Sequence, residues 1–268
     1  MQRLRRLASR RAARVAERAY IVEGPTLVID ALDAGVALEA AYVEPGAPAA
    51  AAAAAERLDR AGVPVYEVAD GVLAKAGATV TPQGILAVAP VVDATIDRLL
   101  EAPMIVVLVD VGDPGNAGTL VRTAEAAGAG GIVFAGASVD PFSPKTVRAS
   151  AGSIFRVPIA VASDVGPVLD RVGGAGHRRI GTSVGEGKPW YDADLAAALA
   201  VVLGNEAHGL PGPAADRVDA WVHIPMAGRV ESLNVAVAGA LVLFEAARQR
   251  GESIGPAPND TAGFDANG

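Results

Sequence analysis

The chain has 268 residues, above the usual single-domain size of about 100–150, so two cores are expected. Hydrophobic residues make up 51% of it and aromatics only 4%; cysteine is absent, and the three histidines lack metal-ligand spacing. Disulfides, thiolate catalysis and cysteine zinc sites are thereby excluded, and metal-dependent chemistry is not expected.

The net charge of −7 argues against a nucleic-acid partner for most of the surface. Its distribution is uneven, because residues 1–20 hold seven arginines (Arg3, Arg5, Arg6, Arg10, Arg11, Arg14, Arg18) against one acid, Glu17, a net +6 that leaves −13 for the remainder. This first segment reads as an amphipathic helix with Leu4, Leu7, Ala8, Val15 and Ala19 inside, and its arginines suit both a solvated face and an RNA-contacting arm.

Further on, Tyr20-Ile21-Val22 reads as a short strand, residues 25–34 as a helix and 40–43 as a second strand. The Ala-rich run 47–61 is expected to be helical, with Gly62 stopping it, and Val63-Pro64-Val65-Tyr66 starts another strand. A Pro-flanked charged segment over 90–103 divides a first unit, 1–92, from a second, 103–250. The second opens on Met104-Ile105-Val106-Val107-Leu108-Val109, an unbroken apolar run typical of a parallel strand buried on both faces. A loop over 110–116 leads to a helix at about 117–127, with buried strands expected at 131–135, 178–183, 199–203 and 220–224. The last helix is expected over 232–249, apolar at Leu233, Val237, Leu241 and Phe244. From Gly251 onward the Gly, Pro, Asn and Asp content predicts a disordered tail, 251–268. No apolar run reaches the ~18 residues of a membrane span, and no apolar signal segment follows the basic start, so the expected location is cytoplasmic.

Three stretches carry the chemistry: Asn116-Ala117-Gly118-Thr119-Leu120-Val121-Arg122-Thr123-Ala124, Leu203-Gly204-Asn205-Glu206-Ala207-His208-Gly209-Leu210, and Ile224-Pro225-Met226-Ala227-Gly228-Arg229-Val230-Glu231-Ser232-Leu233-Asn234-Val235-Ala236. Singly, each has an ordinary reading as a helix cap with a surface arginine, a β-turn, or a capped helix start. Together and in this order they resemble the three signature motifs of the SpoU/TrmH family of RNA ribose 2′-O-methyltransferases, in the SPOUT superfamily. Residues 20–90, with Glu23-Gly24-Pro25 and Thr81-Pro82-Gln83-Gly84 at the edges, resemble the substrate-binding domain that precedes the catalytic domain in many members, a small α/β fold similar to kink-turn-binding ribosomal proteins.

The resemblance implies an α/β-knot fold, a parallel sheet whose last strand and helix thread an earlier loop as a deep trefoil knot, an exception to unknotted topology. It implies S-adenosylmethionine as cofactor, RNA as substrate (rRNA before tRNA), and a homodimer built on helices near 116–127 and 232–249. It sets Arg122 and Asn116 beside the reacting ribose, with Glu206, Ser232 and Asn234 as further catalytic candidates. A protonated guanidinium has no acceptor lone pair, so positioning suits Arg122 better than general-base action. Gly204, Ile224, Met226 and Leu233 are implied to meet the cofactor, with Thr182 and Ser183 in the same pocket. Lys145, Arg148 and Arg156 are implied RNA contacts, or else a charged helix face.

The chemistry itself asks little of side chains, since a sulfonium donor is already activated and the protein has only to align the 2′-oxygen and assist proton loss. Two alternatives stay open: a thiopeptide-resistance rRNA methyltransferase, and a non-catalytic RNA- or ribosome-binding protein. A dinucleotide-binding enzyme is disfavoured, because Gly128-Ala129-Gly130-Gly131 falls between an expected helix and strand instead of between strand and helix.

Overall fold

The structure, a computed structural model, describes residues 1–76 and 83–251; Thr81, Pro82 and the tail expected beyond Gly251 lie outside the described residues. Where one basic helix was expected there are two, α1 (Gln2–Ser9) and α2 (Arg11–Glu17), because Arg10 between them is extended. The break resets the helical face. Leu4 and Leu7 are buried as expected, but Val15 is 66% exposed and Arg14 takes the inward position.

The chain continues as β1 (Ala19–Glu23), α3 (Pro25–Asp33), β2 (Ala40–Val43), α4 (Ala49–Arg60), β3 (Val65–Glu67), α5 (Val72–Ala76) and β4 (Ile85–Pro90). The four strands form a sheet of order β1-β4-β2-β3, in which β4 is antiparallel to both neighbours and β2 runs parallel to β3. Alternation divides its side chains: Ile21, Leu86 and Val88 pack with Leu4 and Leu7, whereas Tyr20, Val22 and Ala87 face α3 and α4. The charged connection contains a short helix, α6 (Ile96–Leu99), capped by Thr95, and Leu99 is fully buried among residues of the second sheet.

After it come β5 (Met104–Val109), α7 (Pro114–Ala126), β6 (Ile132–Ala135), α8 (Pro144–Ala149), β7 (Ile159–Ala162), α9 (Val165–Gly174), β8 (Arg178–Ser183), β9 (Lys188–Pro189), β10 (Leu199–Leu203), α10 (Gly212–Ala215), β11 (Ala220–His223) and α11 (Val235–Gln249). The seven strands pair in parallel in the order β7-β6-β5-β10-β8-β11-β9. All six residues of β5 are buried, with Met104, Val106 and Leu108 in the larger core and Ile105, Val107 and Val109 in the core that also holds Leu169 and Val172 of α9.

Both motif helices start elsewhere than expected. Asp113 caps α7 by accepting the Asn116 N–H at 2.8 Å, with Pro114 as first helical residue, so Asn116 lies inside the first turn and is not the cap. Asn234 caps α11, leaving Ser232 and Leu233 in the preceding loop. Of the apolar positions expected on α11, Val237 is 49% and Phe244 37% exposed, while Val235, Gly239, Val242, Leu243 and Ala246 are buried. A Cβ on Gly239 would lie 2.6 Å from Leu120 Cδ2 and 2.7 Å from Leu203 Cδ1, so only glycine lets α11 approach α7 and β10 this closely.

The larger core runs on from the first sheet into the second. The Tyr20 and Phe142 rings meet at 5.0 Å, and Arg14 Nε reaches Asp140 Oδ2 at 2.6 Å with both side chains buried.

Candidate active site

A cavity of about 640 Å³ opens beyond the carboxyl ends of β8, β10 and β11, where parallel α/β sheets characteristically bind ligands. Three separate segments wall it, with Val235, Ala238 and Val242 of α11 beside them. Thr182 and Ser183 come from the end of β8; Gly204, Glu206 and His208 from the loop after β10; and Ile224, Met226, Ser232 and Leu233 from the segment between β11 and α11. All six residues expected to meet a cofactor therefore line one space, together with two of the five catalytic candidates.

The loop after β10 is built by Asn205, a residue the sequence reading passed over. Its backbone pairs with Gly209 in both directions at 2.9 Å. Its side-chain Oδ1 accepts the N–H groups of Ala207 and His208 at 3.0 and 3.1 Å, while its Nδ2 donates to the Asp110 carbonyl at 2.9 Å. Gly204 serves this loop. A Cβ there would lie 2.3 Å from the Gly209 carbonyl carbon, so the crossing backbone requires a glycine.

Glu206 ties the loop to the start of α7. Its carboxylate accepts the backbone N–H groups of Gly112 and Asp113 at 3.3 and 3.2 Å and the Asn116 Nδ2 at 3.0 Å. Burial pushes this carboxyl up, but the donors from Asn116, its own backbone, Asp113 and Gly112 outweigh burial and hold it below the ordinary glutamate value. Asn116 in turn accepts the Asn234 Nδ2 at 2.7 Å, and Asn234 Oδ1 caps α11 through the Ala236 N–H at 2.8 Å. Asn116, Glu206 and Asn234, far apart in sequence, thus form one hydrogen-bonded chain joining the amino ends of two helices to the cavity wall.

Arg122 lies two turns further along α7. It is exposed, outside the cavity lining, and makes no hydrogen bond or ion pair within the described residues. The three cations expected at RNA do not share a free patch. Lys145 Nζ is 3.8 Å from Asp113 Oδ2, Arg148 faces the buried Glu23 at 3.7 Å, and Arg156 grips Glu125 through both Nε and Nη2. Among the described residues no group of three His, Asp or Glu could hold a metal ion, and no helix is long and apolar enough to cross a membrane.

Of the residues overlooked, Asp113 had a legible signal, an Asp just before a Pro at a helix start. Asn205 and Asp110 had none, because their role depends on the side-by-side pairing of β5 and β10.

Comparison with known proteins agrees with this geometry. Residues 103–244 match the model of the SpoU rRNA Methylase family, and residues 1–87 match that of the MRM3-like substrate binding domain. The chain is 37% identical over 201 residues to an uncharacterized tRNA/rRNA methyltransferase of Synechocystis, covering 73% of this chain and 72% of that one. It is 32% identical over 183 residues to the 23S rRNA (guanosine(2553)-2′-O)-methyltransferase RlmP of Bacillus subtilis, covering 68% and 72%. An AdoMet-bound rRNA methyltransferase from Sinorhizobium meliloti superposes with a TM-score of 0.81 at 34% identity, covering 92% and 93%.

Proposed function

The chain belongs to the SpoU rRNA methylase family, and on that premise we propose that it methylates a ribose 2′-hydroxyl of ribosomal RNA with S-adenosylmethionine as donor. One observation carries the reading: a single cavity lined by Thr182, Ser183, Gly204, Ile224, Met226 and Leu233, with the Asn116, Glu206 and Asn234 chain at its rim. The cavity suits an adenosyl amino acid, since Ile224, Leu233 and Val242 provide apolar wall while Glu206, Ser232 and exposed loop backbone provide polar partners. When bound, S-adenosylmethionine supplies an activated methyl group on a sulfonium.

The protein's part is to hold the 2′-oxygen in line. Arg122, exposed and unpaired among the described residues, is free to bind ribose and phosphate oxygens through its planar fork. Asn116 and Glu206 hold the α7 terminus against the cofactor loop, and Ser232 offers its hydroxyl to the same space. Lys145, Arg148 and Arg156 belong to this reading as flanking RNA contacts, each needing to trade a carboxylate partner for a phosphate.

The working unit in this reading is a homodimer. Its support is the outward face of α11, where Val237, Leu241 and Phe244 line a shallow, mostly apolar hollow with Thr119, Thr123 and Trp190. We assign residues 1–92 to RNA binding and 103–250 to methyl transfer, acting in the cytoplasm. The trefoil knot is part of the proposal, supported by the insertion of β10 between β5 and β8 and the return of α11 onto α7. The test is calorimetric titration of the full chain with S-adenosylhomocysteine, together with methyl transfer to ribosomal RNA; a folded protein that does neither defeats the reading.

A further inference from the structure

Loss of the ribose proton needs an acceptor, and the groups assigned above are poor ones. Arg122 as a guanidinium has no lone pair, and Asn116 and Asn234 are amides engaged with each other. Glu206 devotes its carboxylate to three N–H donors, which hold it below the ordinary range.

His208 lines the same cavity two residues along, and its ring is already oriented. Its Nδ1 lies 3.1 Å from Asn205 Oδ1, the atom that also accepts the Ala207 and His208 N–H groups. The orientation of the Asn205 amide is fixed from its other end, where Nδ2 donates to the Asp110 carbonyl. An amide oxygen can only accept, so Nδ1 carries the hydrogen and Nε2 of the neutral ring keeps its lone pair.

We propose that His208 Nε2 is the proton acceptor for the ribose 2′-hydroxyl, with Asn205 as its positioning residue; the proposal rests on the methyltransferase reading above. In the step, the ribose O–H bond breaks and its proton passes to Nε2, the oxygen–methyl bond forms, and the methyl–sulfur bond breaks with its electron pair returning to sulfur. The products are the 2′-O-methyl ribose, S-adenosylhomocysteine and an imidazolium that afterwards gives its proton to water. The charged groups sharing the cavity with the ring are Glu186, Glu206 and Glu231, and no Lys or Arg is among the residues lining it.

The test combines single-turnover methyl transfer to ribosomal RNA purified from a strain deleted for this gene, titration with S-adenosylhomocysteine, and nitrogen NMR of the imidazole in the full chain. The wild-type rate should rise with pH and level off once the base is deprotonated. His208→Ala should lose about 100-fold or more, lose that pH dependence, bind S-adenosylhomocysteine as before and recover part of its rate on addition of free imidazole. His208→Asn, which keeps a donor toward Asn205 but no base, should lose as much. The NMR spectrum should show protonated Nδ1 and bare Nε2 in the neutral ring, a preference that Asn205→Ala releases. A His208→Ala rate equal to wild type, a loss unaccompanied by a changed pH profile or imidazole rescue, or the opposite tautomer overturns the proposal while leaving the methyltransferase reading intact. A wild type that neither binds S-adenosylhomocysteine nor methylates overturns the reading and the proposal together.

Discussion

The arginines of the amino-terminal segment and the arginine of α7 look alike in sequence and end in opposite states. In the first 20 residues Arg14 is buried against Asp140, Arg3 and Arg6 share Glu17, and Arg18 pairs with Asp93, so most of a conspicuous basic run is occupied in holding the molecule together. Arg122, one cation on an otherwise unremarkable helix, has no partner within the described residues. A count of charges therefore does not show which cation is available: that depends on which carboxylates the fold brings alongside.

The sharpest way to break this contrast is Arg14→Ala, which leaves Asp140 buried and uncompensated. About 3–5 kcal/mol of unfolding free energy should be lost in denaturant titration, and Arg14→Met with Asp140→Leu should recover most of it. If Arg14→Ala instead keeps its stability and loses only RNA affinity, the division between structural and functional arginines is wrong. Arg122→Ala should do the reverse, slowing single-turnover methyl transfer about 100-fold or more, some 2.7 kcal/mol, with unchanged melting temperature and S-adenosylhomocysteine affinity. Lysine at that position should rescue little, because it loses the planar fork.

A smaller effect is expected at the start of the helix that carries Arg122. Asp113→Ala removes the cap of α7 and should cost about 1 kcal/mol in thermal unfolding. Weaker still is the partly exposed pair Arg179–Asp219, where the hydrogen bond from Arg179 outweighs burial and lowers the Asp219 carboxyl. A depressed folded value means stabilisation present above the unfolded carboxylate pKa of about 3.9 and lost as pH falls through the lower folded value. The melting temperature of Asp219→Asn should thus lie below wild type near neutrality and converge on it in acid; parallel curves would refute the assignment. Last, Arg5 and Arg10 are exposed, and in filter binding each Arg→Gln change should lower the salt dependence of RNA affinity by about one ion, whereas Arg14→Gln should not change that slope.

Much of this was legible in the sequence because the signals are local. An unbroken apolar run such as Met104 to Val109 has nowhere to go but a sheet covered on both faces, and it pairs as such. Strands β1, β2, β3, β6, β8, β10 and β11 follow from comparable short apolar runs, and the three motif segments meet because each sits at or beyond the end of a parallel strand. β7 and α9 were not read, although Val168, Leu169 and Val172 of α9 stand at helical spacing and are buried on one face.

What the sequence by itself determined is the family, the two-sheet composition and the short list of polar residues proposed for the site, all properties of local pattern and motif. Tertiary structure alone decided which of those residues act together. Glu206 is 90 positions from Asn116 in the chain, and Asn234 is 118 positions from Asn116. Only the pairing of β10 beside β5 and the packing of α11 on α7 bring them within hydrogen-bond reach. The same holds for Arg14, whose burial follows from a helix break at Arg10 and from a carboxylate 126 residues away. A hydrogen bond is set by distance and direction between groups, and the distance between remote groups is a property of the fold as a whole.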